Sequence, residues 1–324
     1  MTGKKPGFPY KYIFSILFTA AIVGILIYWM DMPKLLQELK KVRLAPVIGA
    51  CLLNVLVMTS KGIRWYYVSA SESSLSIWQS IRLTILSFFV NSFIPARGGD
   101  VLKGIAAARE NRTSKATSLA SVGLDKLMDV LTVFFLALAF PFLPQLPPWL
   151  KKGTLATVIF ALSLAIIVLI VVVAGRKRDK AESNSKFRRF FEKISAGFGS
   201  AVQPKILLLA IALSLASYAL QIAMVLLCTR SAGISLSIPE AACALLALNI
   251  VVGIPLTPLN MGTLHLAFVA VLVFFGYQKE PAMTAAIALH LAYTLPLFAI
   301  GPFLGHKTFL LQTKGQPSAK KDVP

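Results

Sequence analysis

Asp125, Lys126 and Asp129 stand inside an apolar run that extends from Ala116 to Phe140. Charged side chains within such a run must be neutralised by partners, serve a function, or both, because hydrocarbon does not solvate them. Asp125 and Asp129 share one helix face at i,i+4 spacing. At 1.5 Å per residue, Asp125 lies about 14 Å into the run, close to the middle of a bilayer. Two roles are open for this triplet, and they are compatible. One is an internal charge network in which Lys126, Lys61 or Arg64 neutralises the aspartates; the other is contact with a substrate. Lys61 and Arg64 fall near the end of the preceding run, Leu44–Tyr67, where snorkelling of the long side chains to the interface is the expectation.

A second group surrounds the sequence Asn91-Ser-Phe-Ile-Pro95-Ala-Arg97-Gly98-Gly99-Asp100. Asp100 is expected to be an N-cap for a helix through VLKGIAAARE, and the two glycines let backbone approach a ligand closely. A helix N-terminus beside Arg97 is a corner that can bind phosphate. The alternative is a simple chain reversal with Arg97 paired to Asp100; the ligand-binding reading is preferred because an unpaired arginine in hydrocarbon is costly. Asn91 either satisfies backbone groups freed at the break or touches a ligand.

A third group follows Gly253-Ile-Pro255-Leu-Thr-Pro258-Leu-Asn260-Met-Gly262. Pro255 and Pro258 should stop one helix, and Asn260 and Thr263 should cap the next, which would give a second half-helix N-terminus. His265 lies one turn further on, either as a satisfied interior residue or as a ligand contact. His290 is about 12 Å into the last apolar run, where a helix contact is favoured over a proton relay.

The elements that must hold these groups are helices in a membrane. Of the 324 residues, 56% are hydrophobic and 14% charged, about half the charge of a soluble domain. Apolar segments cover Ile13–Met30, Leu44–Tyr67, Ile77–Ile94, Ala116–Phe140, Thr154–Ala174, Ile206–Arg230, Pro239–Leu256, Gly262–Phe275 and Ala282–Leu304. Several reach the roughly 20 residues that a membrane-crossing helix needs. The first run is read as a retained span, since it is long for a signal peptide and no clear cleavage site follows. The expected domains are a polytopic membrane region over 1–306 and a short, basic, disordered cytoplasmic tail over 307–324.

The formal net charge of +20 comes from basic clusters between the apolar runs, the arrangement that orients spans and touches anionic lipid. It lacks the aromatic interleaving of a nucleic-acid surface, so no nucleic-acid partner is expected. The positive-inside bias places the N-terminus, the stretch 103–115, the stretch 175–205 and the tail in the cytoplasm, and the Pro-rich joint near Gln145 outside. These assignments agree only if two regions are re-entrant: Ile77 to about Lys115 from the cytoplasm, and Pro239 to about Gly276 from outside. Six full spans then remain, with both termini inside. Two interrupted segments of opposite orientation are the mark of an inverted-repeat transporter site. Lys34, Lys40, Lys41 and Arg43 then fall outside, as an interfacial helix.

Several chemistries have no sequence basis. There is no phosphate-binding GxxxxGK[ST] loop, no nucleophile elbow and no HExxH, and Cys51, Cys228 and Cys243 show neither metal-ligand spacing nor a disulfide framework. No metal, cofactor or catalytic residue is expected.

Taken together, the chain resembles the membrane region of lysylphosphatidylglycerol synthases, a flippase-like family that also occurs as stand-alone proteins and has relatives in hopanoid and dolichol-glycan pathways. The resemblance rests on Arg64-Trp65, on Asn91-x3-Pro95-x-Arg97-Gly98-Gly99-Asp100-x2-Lys103, on Asp125-Lys126-x2-Asp129, on Pro258-x3-Gly262 and on Tyr293-x2-Pro296. It covers nearly the whole chain. Where the family usually reads Pro-Gly-Gly-x-Gly and then a Glu, this chain has Leu259, Asn260 and, at the acidic position, His265; His290 stands where Arg is common.

The resemblance implies a lipid-flipping role, and it implies no synthase activity, because the soluble aminoacyl-transfer domain would lie beyond the end of this chain. The candidate substrate-binding set is Asn91, Arg97, Gly98, Gly99, Asp100, Lys103, Asp125, Lys126, Asp129, Pro258, Asn260, Gly262 and His265. The expected ligand is a lipid with an anionic, phosphate-containing headgroup, moved or bound in the cell membrane, with an enzyme of a lipid-modification pathway as a possible partner. The alternatives are an intramembrane enzyme or accessory subunit of glycolipid, hopanoid or aminoacyl-lipid synthesis, and an exporter of small solutes or ions.

Overall fold

The structure is a computed structural model that describes residues 10–69, 75–93, 98–138, 147–148, 150–152, 155, 159, 203–253 and 257–314. Arg97, the joint near Gln145, nearly all of the segment Thr154–Ala174 and most of the basic stretch 175–205 lie outside the described residues. Within them the regular elements are helical, in the order α1 (Tyr10–Trp29), α2 (Met32–Lys40), α3 (Leu44–Ser69), α4 (Ile77–Asn91), α5 (Gly98–Glu110), α6 (Lys115–Leu138), α7 (Pro204–Ser231), α8 (Ile238–Gly253), a 3-10 turn (Pro258–Asn260), α9 (Thr263–Phe274) and α10 (Lys279–Lys314).

Among the described residues, α3, α7 and Lys279–Gly305 of α10 are long and apolar enough to cross a membrane. α6 matches them in length, but its apolar pattern is interrupted by Asp125, Lys126 and Asp129. α10 runs on past His306 to Lys314, so this part of the expected disordered tail is helical.

The molecule is organised around α3 and α7, which lie against each other along their length. Small residues allow the approach: Ser60 Oγ donates to the Leu213 carbonyl at 3.2 Å, and Ser217 Oγ donates to Ser60 Oγ at 3.1 Å. α10 crosses both helices. Its internal Pro296 cannot donate to the carbonyl of Ala292. Asn54 of α3 takes over, donating from Nδ2 to the Ala292 and Tyr293 carbonyls at 3.1 and 3.0 Å. A proline-bearing helix is thus tied to the central pair by one buried amide.

α2 leaves α1 at 90°. Asp31 caps it by accepting the Lys34 amide, Pro33 fits its first turn, and Leu35 is buried while Lys34 and Lys41 are exposed. A short helix with an apolar side and exposed lysines is the form an interfacial helix takes. Lys279 donates to the Trp29 carbonyl, and Glu280 accepts the Asp31 amide, so the turn is pinned to the start of α10.

Two helix pairs, α4–α5 and α8–α9, are short. With 15, 13, 16 and 12 residues, the arms measure roughly 18–24 Å, less than the ~30 Å hydrocarbon core. Each pair packs arm against arm. Gly99 permits the first contact: a Cβ there would lie 2.2 Å from the Ser87 carbonyl oxygen. The core cluster around Ala244, Leu246, Phe268 and Leu289 buries α9 against α10 and α8 against α9 and α7.

Candidate functional site

The ion cluster is assembled from α3, α5 and α6. Arg64, 1% exposed, reaches across to α6: Nη2 lies 2.7 Å from Asp125 Oδ1 and 2.9 Å from Asp129 Oδ1, and Nε donates to Asp125 Oδ1 at 2.9 Å. Its Nη1 donates to Ser214 Oγ of α7 at 2.8 Å, and Nη2 also donates to the Asp125 carbonyl. The guanidinium thereby links α3, α6 and α7, and α5 joins them through Lys103, its Nζ 3.0 Å from Asp125 Oδ2. Lys61 pairs with Asp129 at 3.0 Å. Arg64 therefore does not snorkel. The i,i+4 aspartates of α6 face inward and draw the fork of Arg64 to them, because a planar guanidinium can serve both carboxylates at once.

Lys103 also lies 4.0 Å above the Trp65 ring, and Trp65 Nε1 donates to Ser121 Oγ. A desolvated cation over indole is worth roughly 2 kcal/mol. Trp65 is thus the floor of the site, a role that the Arg64-Trp65 pair signals in the sequence only once α5 is seen to pass over it.

Around the first break, Asp100 is not an N-cap. α5 already begins at Gly98, so Asp100 sits within the first turn, where its charge still suits the positive end of the helix. Its Oδ1 accepts from Ser87 Oγ at 2.8 Å, and Lys126 lies 3.1 Å from Oδ2. Asn91 Oδ1 accepts the Gly99 amide at 2.8 Å. This is the backbone-satisfying role, which sequence alone left level with ligand contact. Arg82 closes the far end of the α4–α5 pair with a bidentate contact to Glu110 at 2.6 and 2.7 Å.

At the second break the expected side-chain caps are absent. Gly262, at φ +79, is the N-cap of α9 and makes no side-chain cap bond, while Thr263 is already helical. Thr263 Oγ1 turns back instead, to the Asn260 carbonyl and Thr257 Oγ1. Leu259 and Asn260 adopt φ values of 56 and 55 inside the turn that begins at Pro258, a left-handed pair costly for residues with a Cβ. The Leu259 amide donates to the Ser92 carbonyl at 3.0 Å. The two breaks, more than 160 residues apart in sequence, therefore touch. His265 and His290 lie with ring centres 4.9 Å apart, so His290 does meet a neighbouring helix, at His265.

Among the described residues no three His, Cys, Asp or Glu side chains are grouped to hold a metal ion. The cluster offers cations, hydroxyls and backbone ends, which suit an anion.

Residues 12–301 match the family model for the lysylphosphatidylglycerol synthase TM region. The chain belongs to this family. A UPF0104 membrane protein of Methanocaldococcus jannaschii is 23% identical over 234 residues, covering 70% of this chain and 99% of the relative. No solved structure matches the chain. Like the apolar helices, membership in the lysylphosphatidylglycerol synthase TM-region family marks a multi-pass membrane protein related to lipid handling.

Proposed function

We propose that the protein is a flippase-like transporter that moves a lipid with an anionic, phosphate-containing headgroup between leaflets of the cell membrane, with both termini in the cytoplasm. The observation that carries this reading is the charge of the buried cluster. Lys61, Arg64, Lys103 and Lys126 provide four cations, and Asp100, Asp125 and Asp129 provide three carboxylates, so among the described residues one positive charge is left over. A net positive charge in a low-dielectric bundle favours the arrival of an anion. Lys126 is the cation to meet it, being 26% exposed where Arg64 and Lys103 are buried. Arg97, Gly98 and Gly99 are assigned to the same headgroup on sequence grounds.

In the bilayer, the α4–α5 pair is re-entrant from the cytoplasm and the α8–α9 pair from outside, leaving six full spans. The short arms and the bond between Leu259 and Ser92 support this placement. A headgroup charge crossing the potential exchanges about 2.3 kcal/mol per 100 mV, enough to bias the step. The engagement of Asp125 and Asp129 with cations argues against either carboxylate as the base of an intramembrane enzyme. An enzyme that makes or modifies the lipid is the partner this role calls for.

The test is transfer of fluorescent phosphatidylglycerol in proteoliposomes, with lipid analysis of co-purified material. Wild-type protein should accelerate transfer and retain anionic lipid above its bulk share, and Arg97→Ala should lose both. A chemically altered lipid points to the enzyme, and lipid-independent solute flux to an exporter. Either result, or full retention by Arg97→Ala, overturns the reading.

A further inference from the structure

His265 stands on the first turn of α9, just past the second break, and faces His290 of α10. The ring centres are 4.9 Å apart and the planes are inclined at 46°. Both residues are half-buried. Among the described residues, neither imidazole has a hydrogen bond or an ion pair to any other group.

Among the described residues, the neighbouring elements bring no counter-charge to the pair. Lys61 and Arg64 of α3 are committed to the α6 aspartates, and Arg82 of α4 to Glu110. Glu240 of α8 closes on Ser237, and Glu280 of α10 on the Asp31 amide and Lys279. At α2, Lys34 pairs with Asp31 and Lys41 with Glu38, and its remaining charge, Lys40, is a cation. α7 carries charge only near its ends, at Lys205 and Arg230, and α1 carries none between Ile13 and Trp29.

Imidazole is the side chain that gains and loses a proton near neutral pH. Two imidazoles in contact, with no other partner, can hold one proton between them as N–H···N. A second proton would set two cations side by side with no anion to compensate. Such a pair titrates as a unit and alternates between zero charge and one. Its position makes the charge consequential. α9 begins at the turn whose Leu259 amide bonds the Ser92 carbonyl, so repulsion or attraction at the pair acts on the junction of the two breaks.

We propose that His265 and His290 form a binding site for one proton, and that this proton is the co-substrate whose movement is linked to that of the lipid. The second half rests on the transport reading above; the first does not.

Imidazole-labelled protein in nanodiscs, titrated by NMR from pH 5 to 9, tests the pair directly. His265 and His290 should move over one shared interval and take up one proton between them, with His306 as an internal comparison. In His290→Gln, the midpoint of His265 should shift by about one pH unit or more. Two protons taken up independently, or an unmoved His265 midpoint, overturn the proton site. For the linkage, wild-type proteoliposomes holding a pH-sensitive dye are given a one-unit pH gradient with the potential clamped. Fluorescent phosphatidylglycerol should transfer at least threefold faster than without the gradient, with a matching change in internal pH. Transfer at an unchanged rate overturns the linkage alone. No transfer under any condition overturns the lipid reading and the linkage together, leaving the proton site to stand on the titration.

Discussion

Arg64 owes its position to an exchange of solvents. In water its charge would be hydrated; in the bundle it is held by two carboxylates, a carbonyl and a hydroxyl drawn from two other helices. Such an arrangement is weakly stabilising as a whole, yet removing one partner strands the rest. Asp125→Ala leaves Lys103 without a counter-ion and Arg64 with only part of its shell. It should cost about 3–5 kcal/mol in detergent-solubilised protein, read as a fall in the denaturation midpoint. Asp100→Ala removes the partner of Lys126, which can reach water, and should cost only about 1 kcal/mol. Equal losses in the two variants would mean that burial does not govern the cluster.

The helix pairs are specified by close approach as much as by apolar pattern. At Gly99 a methyl group would meet backbone, the Ser87 carbonyl at 2.2 Å, and neither chain can yield without parting α4 from α5. At Gly104 it would meet the end of the Leu119 side chain at 2.8 Å, which can rotate away. Gly99→Ala should therefore disrupt the pair, seen as increased protease cleavage and loss of several kcal/mol of stability, a loss of the kind seen for overpacked cores. Gly104→Ala should be close to neutral, as its better helix propensity offsets a small repacking cost. The sequence placed a break before Gly98 correctly, because proline and paired glycines punctuate any helix. It misassigned the caps on both sides. Asp100 and Thr263 have capping chemistry, but each lies inside its helix, where Ser87 with Lys126, and Asn260 with Thr257, provide other bonds.

For the molecule in its membrane, the deciding quantity is which face each chain reversal reaches. Single cysteines at Lys115, after the α4–α5 pair, and at Gln278, after the α8–α9 pair, are both exposed positions. In a background with Cys51, Cys228 and Cys243 replaced by alanine, Lys115→Cys should react with impermeant thiol reagents only from the cytoplasmic face. Gln278→Cys should react only from the outer face. The opposite pattern at either position would remove the opposed re-entrant arrangement and the headgroup site that depends on it.

Membrane residence, helical class, the places where helices break and the presence of α6 charges that need partners were all fixed by the one-dimensional pattern. Each follows from length, apolarity and the lack of a donor in proline, which act locally. Which partners those charges take could not be read from the chain. Arg64 near the end of its run has the same local pattern whether it snorkels to the interface or crosses to Asp125 and Asp129. Only the packing of α3 against α6 and α7 decides between them. The same holds for Trp65 under Lys103, for Leu259 bonding Ser92, and for two histidines 25 residues apart brought ring to ring. These contacts join elements distant in sequence, and their energy depends on a shared low-dielectric interior that exists only after the helices have assembled.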